Sequence, residues 1–493
     1  MVRRRTFVKQ ATFAAGAAAL TRAVRLEAAS APSPIGIQIG AVSFVDEGTE
    51  KVIDLLREAG GVDTLFVATF TYGRGIAGRQ PRPNPLPDHG KQEYDDNFRG
   101  GIFFTPHAQH YGKTSIKPEK APDHPGYDVL ADVIPAAHRR RMKVIAWFED
   151  VFRRDVPGLD QAVEVDVHGK PGSRLCFRNP NTREFWLALV EDHLRSYGEL
   201  GGLMWGSERQ GPLNDALGAS HGEGARPSTA ACFCPHCLES ARAQGIDAER
   251  ARQGFLALER WIGGMKEGRK PADGAFVTFW RILVEQPEVL AWERLWNEGL
   301  RDTYRAMHQK AHALAAGTPI GWHIWHTSSF APFYRAEQDY QAFGKYSDFL
   351  KVVMYNNCGG PRMARYVRNV NATLFADLTP EETMQLVYRV QQYPSEKPLD
   401  RIPQEGLSAD YVRRETARAV AGAAGATRIW PGIDIDIPTG AGEKKTQPDD
   451  VYQAVRAAFA AGAHGIILSR KYSEMRLDNL RAAGRAAREV GVI

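Results

Sequence analysis

Cysteine is scarce in this chain, with five in 493 residues, and a chain this long buries an adequate core without disulfide staples. Charge of one sign is also lacking. Lys and Arg number 63 against 58 Asp and Glu, a net +5, and part of that excess is Arg3, Arg4, Arg5 and Lys9 at the N-terminus. No nucleic-acid partner is therefore indicated. Apolar runs long enough for a permanent membrane span are missing as well. No glycine-rich phosphate loop follows the first strand candidate, which argues against a doubly wound dinucleotide-binding sheet. Internal repeats and low-complexity tracts do not stand out. What remains is an ordinary soluble composition, 43% hydrophobic and 25% charged.

The N-terminus carries its own signal. Arg4-Arg-Thr-Phe-Val-Lys9 fits the twin-arginine export pattern, followed by the Ala-rich run Ala11 to Leu20 and a small-residue cleavage site at Ala29-Ser-Ala31. Residues 1–31 are therefore expected to be a signal peptide read by the twin-arginine export machinery. The mature protein is expected to be periplasmic or secreted, having crossed the membrane already folded.

Short apolar, β-rich runs then alternate with helical patterns along the whole chain, as a parallel α/β architecture requires. The strand candidates are Ile35–Phe44, Thr64–Tyr72, Lys143–Phe152, Gly202–Arg209, Pro319–His326, Phe349–Asn357, Arg428–Pro438 and His464–Tyr472. Eight strands predict a (β/α)₈ TIM barrel over residues 35–493. Two connections are far longer than usual, Gly73 to about Pro125 and Gln210 to about Asp273. Both follow strands, so both are expected on the face where such barrels build their sites.

The second long connection contains Cys232-Phe-Cys-Pro-His-Cys237, three thiols within six residues. Zinc takes four ligands in a tetrahedron, and closely spaced loop thiolates supply three without strain. Cys176 is the favoured fourth ligand, with Cys358 and His236 as alternatives. A closed site of four thiolates leaves no open position, so the Zn²⁺ at Cys176, Cys232, Cys234 and Cys237 is expected to be structural, and 210–273 to be a zinc-binding insertion.

The order Cys176-Phe-Arg-Asn-Pro180, a helix over Phe185 to Tyr197, Trp205-Gly-Ser-Glu208 and then the thiol cluster resembles the family 42 glycoside hydrolases, the bacterial β-galactosidases. The resemblance covers about one hundred residues. It implies a barrel with a four-cysteine zinc site and Glu208 as general acid at the end of the fourth strand. Ser207 stands where the family has Asn, and the chain looks like a distant, barrel-only relative.

Glycoside hydrolysis needs two carboxyl groups flanking the glycosidic oxygen. In Ile433-Asp-Ile-Asp-Ile437 the strict alternation predicts isoleucines facing the helices and both Asp434 and Asp436 pointing inward, so one of these is expected to partner Glu208. Glu149 and Asp150 end the third strand, and opposite parity lets only one of them face the axis. A substrate-binding ring is expected from Glu149, Trp147, His107, His323, His326, Tyr355, Asn356, Arg470 and Tyr472, with aromatic faces for sugar rings. The leading reading is a secreted glycoside hydrolase acting on a carbohydrate. Two other readings are a metal-dependent barrel enzyme using His107, His110, His323, His326 and Glu149, and a catalytically inactive carbohydrate-binding barrel.

Overall fold

The computed structural model describes residues 33–222, 224–226 and 229–493; the twin-arginine signal expected over residues 1–31 lies outside the described residues. Twelve strands occur among them. They are β1 Ile35–Gly40, β2 Thr64–Thr71, β3 Gly101–Ile102, β4 Lys143–Glu149, β5 Val163–Val165, β6 Pro171–Leu175, β7 Gly202–Gly206, β8 Ile320–Ile324, β9 Phe349–Val352, β10 Arg428–Ile429, β11 Gly432–Asp434 and β12 Ile466–Ser469. Nine of them run in the order β10-β9-β8-β7-β4-β2-β1-β12-β11, every neighbouring pair parallel. β5 and β6 form a separate antiparallel hairpin.

The sheet curls because its two ends belong to one bent segment. Only Trp430 and Pro431 separate β10 from β11, and the chain changes partner across them. Trp430 N–H donates to the Leu350 carbonyl on β9 at 2.9 Å, while the Pro431 carbonyl accepts from Ile467 N–H on β12 at 2.9 Å. Pro431 has no N–H to continue the first ladder, which accounts for the break. Each of the eight expected segments thus contributes a parallel stave.

The expected strands run too long at their C-terminal ends. Ala41–Phe44 begins the helix Ala41–Glu47, and Ser207–Arg209 and Arg470–Tyr472 lie beyond their ladders. The seventh segment shows the cause. The Asp434 carboxylate accepts N–H groups of Cys358 at 2.9 Å and Ile437 at 3.1 Å, satisfying the backbone where the sheet stops. Burial continues through Ile435 and Ile437, so hydrophobic alternation outlasts the strand.

Helices cover the outside. Pro180–Ser196 starts at Asn179, whose side chain accepts the Asn181 N–H, with proline in its first turn. It packs Trp186 against Trp205 of β7 at 5.0 Å between ring centroids, and against Phe185 and Phe70. No helix of the described residues is long and apolar enough to cross a membrane. Trp186 is fully buried, so Trp186→Ala is expected to cost about 3–5 kcal/mol, read as a lower urea midpoint at unchanged slope.

Candidate active site

β4 and β7 lie side by side in register, Glu149 opposite Gly206, and the pairing continues one residue further as Asp150 N–H donates to the Gly206 carbonyl at 3.0 Å. Opposite parity then separates the two acids. Asp150 turns outward to Arg209, whose guanidinium meets it at 2.8 Å, Glu164 at 2.7 Å and the Leu175 carbonyl at 2.8 Å. The same guanidinium lies over Phe177 at 4.3 Å. Asp150, Glu164 and Arg209 are all buried, so the network ties β4, β7 and the β5–β6 hairpin together. Because Arg209 is engaged there, it leaves Glu208 alone.

Glu208 takes φ +45°, a conformation that side chains other than glycine's rarely adopt and that persists where surrounding structure imposes it. Its side chain lies deep in the molecule and yet remains 42% exposed, with its carboxylate 3.0 Å from Nε2 of His323 on β8. Glu208 therefore faces an open recess at the strand ends.

A lysine completes the centre. Lys351 of β9 is wholly buried; its Nζ donates to Gln38 of β1 at 2.5 Å and to the Tyr355 hydroxyl at 2.9 Å, and it lies 5.8 Å from the Trp147 ring centre. Burial lowers its pKa to about 7, against the pull of the Glu208 and Glu149 charges. Glu149, with no hydrogen bond to its carboxyl among the described residues, is pushed the other way. Burial first and the neighbouring Glu208 charge second raise it to about 8, opposed by Lys351 and Arg470.

Glu208 moves down. Burial acts to raise it, but His323, Arg362 and Lys351 outweigh that and hold it well below the usual carboxylate range. His323 is itself lowered by burial and by Lys351. The surroundings thus shift the two carboxyls in opposite directions, Glu149 up and Glu208 down.

The structure brings together Glu149, Trp147, Glu208, His323 and Tyr355 of the expected residues, and places others elsewhere. Asp434 is spent on the backbone of Cys358 and Ile437, as above. Asp436 accepts from Arg476 N–H at 2.7 Å and Asn479 Nδ2 at 2.8 Å and pairs with the Arg476 guanidinium at 3.1 Å. Both therefore hold the loop after β11. His107 meets Asp192 at 2.8 Å and Ser196 at 3.0 Å on the helix Pro180–Ser196, away from the barrel axis. His326 contacts Tyr411 at 3.0 Å and Arg362 at 3.1 Å. Arg470 pairs with Glu474, and Tyr472 stacks on His89 with centroids 4.1 Å apart. Asn356 is buried, its carbonyl holding Leu407 N–H at 2.8 Å. The histidines of the metal-enzyme reading thus do not converge among the described residues. Trp147, Trp205 and Trp322 are all fully buried rings, unavailable to a sugar, so Trp147 borders the site without offering it a face.

Lys351, Gln38 and Arg362 belong to the site without having been expected. The signal for Lys351 was present, a charged residue inside the apolar run Phe349-Leu-Lys-Val-Val353. A buried strand carries such a charge only where something pays for it.

The sulfur atoms of Cys176, Cys232, Cys234 and Cys237 all lie within 4.8 Å of one another, and all four residues are buried. Cys176 is 3.5 Å from both Cys234 and Cys237, too far for a disulfide and close to the roughly 3.8 Å edge of a tetrahedron with 2.3 Å metal–sulfur bonds. Val165 N–H donates to Cys232 Sγ at 3.3 Å, anchoring the cluster to β5. Cys358 lies apart, beside Asp434, and His236 is outside the cluster. The donor set fits a thiophilic metal ion.

Residues 100–170, which contain β4 and Glu149, match the family described as Glycosyl hydrolase-like 10. No curated protein sequence matches the chain. Among solved structures, the glycoside hydrolase domain of PgaB (BpsB) from Bordetella bronchiseptica is similar over 93% of this chain and 99% of its own, at 14% identity and TM-score 0.50. The β-galactosidase of the psychrophilic Marinomonas ef1 aligns over 93% of this chain and 59% of its own, at 11% identity and TM-score 0.52. That of the haloarchaeon Halorubrum lacusprofundi aligns over 92% and 58%, at 12% identity and TM-score 0.50. The chain thus spans under three fifths of either β-galactosidase, and the likeness to all three is one of fold.

Arg209→Met would leave Asp150 a buried carboxylate without its ion-pair partner, while Glu164 keeps Arg174 at 3.1 Å. The expected loss is about 3–5 kcal/mol in urea unfolding, against under about 1 kcal/mol for an exposed pair.

Proposed function

We propose that the protein is a glycoside hydrolase in which Glu149 is the general acid and Glu208 the ionised partner acting at the anomeric carbon. The observation that carries this is the placement of Glu149 and Glu208 at the ends of the adjacent parallel strands β4 and β7, supported by their opposed shifts, Glu149 raised and Glu208 lowered. Glu208 had been expected as the acid on the family 42 resemblance; the charges around it favour the opposite role, and Glu149 takes the place first given to Asp434 or Asp436. Protonated Glu149 hands its proton to the leaving oxygen while the Glu208 carboxylate attacks or stabilises the oxocarbenium-like centre. As Glu149 becomes anionic, Lys351, held by Gln38 and Tyr355, is the nearby cation that receives that charge. His323 orients Glu208 through its Nε2.

A cleft of about 610 Å³, lined among others by Arg154, Glu164, Arg174, Gln210, Asp215 and Ser220, is built partly from the loops after β4 and β7. The match of residues 100–170 to a glycosyl hydrolase-like family, and the fold shared with the PgaB domain and the β-galactosidases, support the reaction class. The sugar and linkage are left open. The twin-arginine pattern of the first residues supports export to the periplasm or beyond.

The four thiols are proposed as ligands of one structural Zn²⁺, which when bound would cross-link the segment before Pro180 to the loop after β7. Zinc analysis of purified protein is expected to show one tightly held equivalent that is lost on Cys234→Ser together with thermal stability.

The acid must be protonated and its partner ionised, so activity is expected to fall as pH rises through about 8, the Glu149 limb, and to persist well into mild acid before Glu208 takes up a proton. Glu149→Gln should reduce turnover of unactivated glycosides by about 10²–10⁴-fold, spare aryl glycosides with good leaving groups, and abolish the alkaline limb. Glu208→Gln should reduce turnover of both. An unchanged pH profile in Glu149→Gln would refute the assignment, and sugar binding without turnover in the unmodified protein would identify an inactive carbohydrate-binding barrel.

A further inference from the structure

A second cluster of metal-binding side chains lies at the opposite end of the barrel from Glu208. The long helix Glu288–Leu314 presents His308 and His312 four residues apart, hence on one face and one turn from each other. Their rings lie 4.3 Å apart between centroids. Asp348, the residue before β9, faces them. Its Oδ2 accepts the N–H of Ile320, the first residue of β8, at 2.8 Å, so the carboxylate is fixed at the N-terminal edge of the sheet. His312 Nε2 is 3.0 Å from that oxygen and His308 Nε2 is 4.0 Å from it. The three ligand atoms all fall within 4.8 Å of one another.

An ordinary Asp–His hydrogen bond accounts for His312. It leaves unexplained why a second imidazole brings its Nε2 to 4.0 Å from the same oxygen, which Ile320 N–H and His312 already occupy. A metal ion with bonds of about 2.0–2.2 Å wants such donors roughly 3.3–3.5 Å apart, and the observed spacings bracket that value. The side chains are partly exposed, 21–35%. A cavity of about 360 Å³ that includes His308, Gln309 and Tyr346 in its lining gives solvent access for the remaining ligand positions. Arg305 and Lys345 also line it, and their charge favours an anion such as hydroxide or chloride there over a further cation.

We propose that His308, His312 and Asp348 form a binding site for a divalent transition metal of the zinc, cobalt or nickel class. Two imidazoles and one carboxylate select these ions over magnesium or calcium, which prefer all-oxygen sets. The site joins the last turns of the long helix to the first residues of β8 and β9. Its place at the N-terminal end of the strands makes it a clamp on the fold, separate from the thiol cluster and from the chemistry of Glu208.

The test is a Co²⁺ titration of the full chain followed by visible absorption, compared with His308→Gln. That substitution leaves the His312–Asp348 contact in place, so the variant is expected to fold. Cobalt on the thiol cluster gives intense sulfur-to-metal charge transfer. Cobalt on the imidazole–carboxylate site gives only weak ligand-field bands. The expected result is an equivalent of Co²⁺ bound without charge-transfer absorption, an affinity at least about tenfold weaker in His308→Gln, the scale of loss when even an outer partner of a metal ligand is removed, and a thermal midpoint raised by Zn²⁺ in the parent only. Metal uptake entirely accompanied by charge transfer, or equal uptake and equal midpoint shift in the variant, would overturn it.

Discussion

The arrangement at the strand ends depends on one buried cation among carboxylates. Lys351 sits where water does not reach, between Gln38 and Tyr355, and low dielectric makes its charge costly unless anions are near. Glu149 and Glu208 are those anions, but two ionised carboxyls on adjacent strands repel each other, so one of them keeps its proton. His323 lies 3.0 Å from Glu208 and Arg362 adds its charge there, whereas Glu149 has neither. The proposed division into acid and base rests on that asymmetry.

Strand parity does the sorting that makes this possible. Of the consecutive pair Glu149 and Asp150, the second turns outward and is absorbed with Glu164 by Arg209. Of the consecutive pair Glu208 and Arg209, the arginine turns outward and the glutamate stays over the lumen. Three acids and one base at the ends of neighbouring strands are thereby resolved into a structural ion network on one side and the Glu149–Glu208 pair on the other. The thiol cluster lies on the structural side, anchored to β5 through Val165.

Much of the fold was legible in the chain. All eight parallel staves lie inside the segments marked by β-rich apolar runs, because alternation with helical patterns is a local property of side-chain burial. The ends of those segments were not legible, since Ile435 and Ile437 stay buried after the ladder stops at Asp434. The thiol grouping was readable, including the choice of Cys176, because Cys-x-Cys-x-x-Cys spacing constrains what can gather. Glu208 and Glu149 were readable as acids at strand ends, Glu149 as a residue that binds sugar hydroxyls or partners Glu208. Asp434 and Asp436 looked inward by alternation, but their carboxylates meet backbone N–H groups and Arg476, partners that no spacing along the chain announces.

By itself the sequence determined which residues carry charge at strand ends and which strands follow one another, because both are written in local pattern. Only the tertiary structure decided which of those charges share a low-dielectric space. Lys351 meets Gln38 because curling the sheet brings β9 to face β1, and Glu149 comes next to the end of β7 because β4 lies beside it. A carboxyl's proton affinity is set by the charges and water around it, and those come from segments far apart in the chain.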